Sequence, residues 1–128
     1  MNQTNVLLIM TDQQRWDTIH SGGNAAIETP NLDWLASRGT LFECAYTATP
    51  SCIPARASLM TGMDPWHTGI LGMGRGQGPM GVGFEHTLPG ELGKAGYHTH
   101  AVGKLHHGPQ RSLNGFDSAE LDESGRRV

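Results

Sequence analysis

Pro50-Ser51-Cys52-Ile53-Pro54-Ala55-Arg56-Ala57-Ser58-Leu59-Met60-Thr61-Gly62 carries a helix with a potential nucleophile at its start. Pro54 suits the first turn of a helix, where its missing N–H costs nothing. Ala55 to Thr61 contains good helix formers, and Gly62 is a natural stop. Cys52 therefore falls at or just before a helix N-terminus. Unpaired backbone N–H groups and the positive dipole end favour an anion there. Arg56, one turn in, can aim its guanidinium back at the same anion. An unmodified thiol would also be activated in this position. The bland alternative is a buried, inert cysteine beside a helix start.

The segments on either side indicate a layered α/β chain. Val6-Leu7-Leu8-Ile9-Met10 is an apolar run without alternation, as in a strand buried on both faces, and it ends in Thr11-Asp12-Gln13. Thr29 to Gly39 reads as a helix with Thr29 as N-cap, Pro30 at its first position and Leu32, Leu35 and Ala36 as its apolar face. Thr40 to Tyr46 reads as a second strand, with Cys44 as core filling. Met63 to Gly83 is dominated by Gly, Met and Pro and reads as a long loop, with Trp66 and His67 expected to pack. Thr87 to Lys94 is expected to be a short helix stopped by Gly96. Tyr97 to Val102 is a strand candidate leading into Gly103-Lys104-Leu105-His106-His107-Gly108. From Pro109 onward the chain is polar, without a pattern that closes a domain.

The chain has 128 residues, enough for one small domain or a piece of a larger one. A formal net charge of -3 gives no reason to expect nucleic acid as a partner. Two cysteines do not make a disulfide framework, and a Cys44–Cys52 bridge would consume the nucleophile. The first apolar run is too short to cross a membrane and lacks the flanks of a signal peptide. Neither a membrane partner nor export is expected, and the reading is cytoplasmic.

The stretch from Cys52 to Gly62 matches Cys-x-Pro-[Ser/Ala]-Arg-x-x-Leu-Met-Thr-Gly and resembles the signature of the type I sulfatases, in the alkaline phosphatase-like superfamily. Asn5 to Arg15 resembles that family's first strand, where an acidic pair at the strand end binds a divalent metal. Here the pair is Asp12 and Gln13 rather than the common Asp-Asp. The amide carbonyl of Gln13 remains a hard oxygen ligand but lowers the site's negative charge by one. Gly103 to Gly108 resembles the family's Gly-Lys-Trp-His-x-Gly, with Leu105 in place of Trp. Leu88 to Val102 and Gly115-Phe116-Asp117 also match, so the resemblance runs from Asn5 to about Asp117.

The resemblance implies the N-terminal part of a sulfatase catalytic domain over residues 1–128, with a mixed, mostly parallel sheet flanked by helices. It implies conversion of Cys52 to formylglycine by a maturation enzyme, with the hydrated aldehyde as nucleophile. It also implies a divalent metal held in part by Asp12, Gln13 and the modified Cys52, with Ca²⁺ favoured over Mg²⁺ or Mn²⁺. Arg56 and Lys104 would neutralise the transferring sulfate, and His106 would bond the aldehyde hydrate. The expected substrate is a small-molecule sulfate ester. Family members are several times longer and draw further metal ligands from later segments, so the fragment alone is expected to be inactive. A phosphonate or phosphate ester hydrolase on the same scaffold stays open, because the Asp-Gln pair occurs both in that branch and in some bacterial sulfatases. A non-catalytic remnant stays open too.

Two rival motifs are weaker. His98, His100, His106 and His107 suggest zinc, but no Cys or His partner has the spacing of a structural site. Gly72 to Gly78 alternates glycines like a phosphate cradle, with Arg75 inside it, yet it lacks a preceding strand and a Gly-Lys-[Ser/Thr] end.

Overall fold

The structure is a computed structural model that describes residues 3–73, 84–106, 108–109 and 111–122. The chain divides into two compact units, Met1–Tyr46 and Thr47–Val128.

In the first unit, helix α1 (Pro30–Arg38) starts where the sequence places it, with Pro30 in its first turn. Thr29 does not cap it in the usual way. Its hydroxyl instead accepts from the His20 N–H at 2.9 Å and donates to Asp33 Oδ1 at 3.0 Å. Asp33 Oδ1 also accepts from the Ser21 N–H at 2.8 Å. These bonds tie a 3-10 turn (His20–Gly22) to the helix start. Burial raises the Asp33 pKa, but the hydrogen bonds from Ser21 and Thr29 outweigh it and hold the carboxyl below its ordinary value.

Four expectations fail in this unit. Residues 6–10 are not a strand, and Leu7 is 83% exposed. Residues 40–46 are not a strand either. A strand of this type is defined by ladder partners on its edges and cover on its faces. No described residues supply them here. For the same reason Leu32 and Leu35 stay exposed, and Cys44 is an exposed free thiol rather than core.

In the second unit, α2 (Cys52–Thr61) begins at Cys52 itself. It ends as expected at Gly62, whose φ of 69° is left-handed and whose N–H bonds the Ser58 carbonyl at 2.8 Å. Ile53, Ala57 and Met60 recur at helical spacing and form its inner face. Ala57, Met60 and Ile70 are the buried cluster, joined by Ile53, Phe84 and Phe116. Burying an Ile or Met side chain contributes about 1.5–3 kcal/mol, so Met60 and Ile70 dominate this small core.

The expected loop after Gly62 holds a short helix, α3 (Pro65–Thr68). Asp64 caps it, with Oδ1 accepting from the His67 N–H at 3.0 Å and Oδ2 facing His67 Nδ1 at 2.8 Å. The His67 backbone bond holds the Asp64 carboxyl below its usual value. Trp66 and His67 are exposed, so the packing expected of them does not occur. Residues 74–83, and with them the glycine-rich segment and Arg75, lie outside the described residues, as does His107.

Helix α4 (Leu88–Lys94) forms as read, capped by Thr87, whose hydroxyl accepts from the Gly90 N–H at 3.2 Å. Strand β1 (His100–Gly103) is the later part of the strand expected from 97 to 102. Strand β2 (Ser118–Leu121) was not legible in the polar tail. It runs parallel to β1, with His100 opposite Ser118 and Gly103 opposite Leu121. The entry to the pair is pinned by Thr99 and Asp117. Asp117 Oδ2 accepts from the Thr99 N–H at 2.7 Å and hydroxyl at 3.0 Å, and the Thr99 hydroxyl accepts from the Asp117 N–H at 3.1 Å. Helices beside a parallel strand pair make the mixed α/β arrangement expected from the sequence.

Candidate active site

Helix α2 positions the first two candidates. Cys52 is its first residue and half-buried, in the first turn, whose N–H groups lack helical partners. Both cysteines are free thiols, so no Cys44–Cys52 bridge competes for it. Arg56 follows one turn later on the same side of the helix. It is only 7% exposed, and its Nη1 donates to the Lys104 main-chain carbonyl at 2.5 Å. A buried guanidinium is costly without partners, which makes this bond more than decoration.

The other two candidates lie just past β1. Gly103 ends the strand with φ +94°, a left-handed value that a side chain would strain. Lys104 follows and is half-buried. Leu105 is buried at 7% exposure. His106 is 3% exposed and has φ 59°, an uncommon conformation for a residue with a side chain. Cys52, Arg56, Lys104 and His106 thus belong to one unit, and the Arg56–Lys104 bond joins their two segments.

Asp12 and Gln13 belong to the first unit, in an exposed bend after residues 3–11. Gln13 has φ 55°, so this bend is held in the left-handed region without a glycine. Together they offer a carboxylate and an amide carbonyl, hard oxygens that suit a Ca²⁺, Mg²⁺ or Mn²⁺ ion. Two donors are a partial set, since calcium takes about six to eight oxygens. Among the described residues no group of three or more His, Cys, Asp and Glu forms a metal site. The histidines at and just before β1 have other partners: His98 Nδ1 lies 3.5 Å from Asp117 Oδ2, and His100 Nδ1 lies 2.7 Å from Ser118 Oγ. No helix among the described residues is long and apolar enough to cross a membrane.

Sequence reasoning missed the Arg56–Lys104 bond and the Thr99–Asp117 pin. The first joins residues 48 positions apart, and no local pattern announces such a bond. The second has one trace in the sequence, the Gly115-Phe116-Asp117 triplet directly before β2.

A family profile described as Sulfatase matches residues 4–123. An arylsulfatase of Clostridium perfringens is 47% identical over 119 residues, covering 93% of this chain and 24% of the relative. The N-acetylgalactosamine-6-sulfatase of Mus musculus is 39% identical over 126 residues, covering 88% of this chain and 24% of the relative. The N-sulphoglucosamine sulphohydrolase of Homo sapiens is 37% identical over 123 residues, covering 94% and 24%. The chain spans about a quarter of the length of these curated relatives. The parallel pair, the helix opening at Cys52 and a match over nearly the whole chain agree, and the chain belongs to the sulfatase family.

Proposed function

We propose that this chain is the nucleophile-bearing part of a sulfuric-ester hydrolase that cleaves a small-molecule sulfate monoester. The observation that carries this reading is the start of α2 at Cys52, with the buried Arg56 one turn behind and bonded to the main chain at Lys104. Cys52, once converted to formylglycine by a maturation enzyme, supplies a hydrated aldehyde whose oxygen attacks sulfur. The N-terminus of α2 favours negative charge at that position. Lys104, with an ammonium on a flexible stem, neutralises the oxygens of the transferring group. His106, fixed by burial, is assigned the hydrogen bond to the nucleophile's hydroxyl and holds or moves its proton. Asp12 and Gln13 would hold part of a divalent cation, Ca²⁺ by preference, which supplies charge neutralisation and a lowered hydroxyl pKa. Because the chain spans a quarter of its relatives, turnover is assigned to the complete polypeptide and the fragment alone is taken as inactive.

A phosphonate or phosphate ester hydrolase on the same scaffold is the second reading; the Asp12-Gln13 pair is compatible with both readings and does not separate them. The test compares a sulfate and a phosphonate ester of one phenol with the complete polypeptide. A higher kcat/KM for the sulfate ester supports the first reading, and the reverse order replaces it with the second. Metal-independent inertness toward both, with an unmodified Cys52, supports a non-catalytic remnant.

A further inference from the structure

Arg56 spends part of its guanidinium on the protein's own backbone. Its Nη1 donates to the Lys104 carbonyl at 2.5 Å, in a setting where Arg56 is 7% exposed. A guanidinium is a rigid fork, so directing one arm at a main-chain carbonyl fixes where that main chain runs. The carbonyl belongs to the first residue after β1, immediately past the left-handed Gly103. From there to His106 the chain has no regular secondary structure. Without a ladder of its own, the segment depends on other ties to hold its path. Leu105 and His106, at 7% and 3% exposure, are packed in rather than floating. Cys52 and Arg56 stand one turn apart on one side of α2, about 6 Å along its axis. The bond therefore runs from the nucleophile's own helix to the main chain that carries both Lys104 and His106.

We infer that Arg56 is a positioning residue, whose bond to the Lys104 carbonyl sets Lys104 and His106 against Cys52. Its chemical consequence rests on the sulfatase reading above. Its structural half, that Arg56 holds the 103–106 main chain, does not. The role is separate from the direct neutralisation of sulfate that the family resemblance assigns to Arg56. Arg56→Met keeps the aliphatic packing of the stem and removes every donor, and Arg56→Ala removes both.

The test uses the complete polypeptide and has two arms. In the first, amide hydrogen exchange is followed in residues 103–106 and in 57–61 of α2. The expected result for Arg56→Met is exchange about tenfold or more faster at 103–106, with 57–61 unchanged, as for the loss of a charged buried hydrogen bond. Unchanged exchange at 103–106 overturns the inference. If Arg56→Ala loosens α2 as well, the Arg56→Met result decides. In the second arm, kcat is measured on formylglycine-matured protein and corrected for its occupancy. Arg56→Met is made alone, on a Lys104→Ala background and on a His106→Ala background. A residue that acts through Lys104 and His106 loses a large part of its effect when one of them is already gone. An equal fold-loss in all three backgrounds overturns the inference. Failure of the parent protein to hydrolyse any sulfate ester counts against the sulfatase reading, and the exchange arm then decides the inference alone.

Discussion

Replacing Gly115 with Ala should loosen a helix that lies more than twenty residues earlier in the chain. Gly115 has φ +99°, and a Cβ built on it would lie 2.4 Å from Thr87 Oγ1 and 2.9 Å from the Gly90 nitrogen. Thr87 Oγ1 is the acceptor that caps α4 through the Gly90 N–H. The methyl group would therefore displace the capping hydroxyl or push the 115 turn away from the helix. Losing a Thr cap costs about 0.5–2 kcal/mol. A side chain in the left-handed region adds about 1–2 kcal/mol. The combined cost is about 1.5–4 kcal/mol, roughly a ten- to several-hundredfold shift in the local opening equilibrium. The assay is amide exchange across residues 88–94, with Gly93→Ala as control. Gly93 lies inside α4 with open space around its Cβ position, so Ala there should stabilise by about 0.5–1 kcal/mol. Equal exchange in Gly115→Ala and the parent protein would refute the close approach that the argument depends on.

Three further outcomes are expected. Cys52→Ala should abolish turnover in the complete polypeptide, whereas Cys52→Ser should trap a sulfated enzyme because no second hydroxyl is available to expel sulfate; steady turnover by the Ala variant would sink the chemistry. Hydrogen bonds from the Thr99 N–H and hydroxyl hold the Asp117 carboxyl below its ordinary value, helped by His98. The stability this gives the β1–β2 pair is complete above the unfolded carboxylate value of about 3.9 and is lost as pH falls through the lower folded value. Asp117→Asn should flatten that acid limb in a pH series of melting temperatures, and an unchanged limb would contradict the assignment. Chelation should stop turnover and added Ca²⁺ restore it, and Gln13→Asp should lower the Ca²⁺ concentration needed; indifference to both treatments would remove Asp12 and Gln13 from the site.

What could be read from the sequence was local. The helix at Cys52, its stop at Gly62 and the short helix ahead of Gly96 follow from backbone chemistry within a few residues, and the structure repeats them. The strands followed less well, because pairing is decided by distant partners. Val6 to Met10 has the composition of a buried strand but no ladder among the described residues, while Ser118–Leu121 has polar members yet pairs with β1. The candidate site divides in the same way. The residue types of Cys52, Arg56, Lys104 and His106 were legible from their motifs. The bond from Arg56 to the Lys104 carbonyl was not, since a main-chain acceptor leaves no mark on residue identity.

The central claim is that Cys52 is a precursor of the nucleophile rather than a thiol that acts as such. The measurement that tests it most directly is the mass of the peptide containing Cys52, from complete polypeptide produced with a formylglycine-generating enzyme and shown to hydrolyse a sulfate ester. The expected result is a peptide in which the thiol has been replaced by an aldehyde that a hydrazide captures, with occupancy tracking activity. An intact Cys52 thiol throughout fully active protein would contradict the claim.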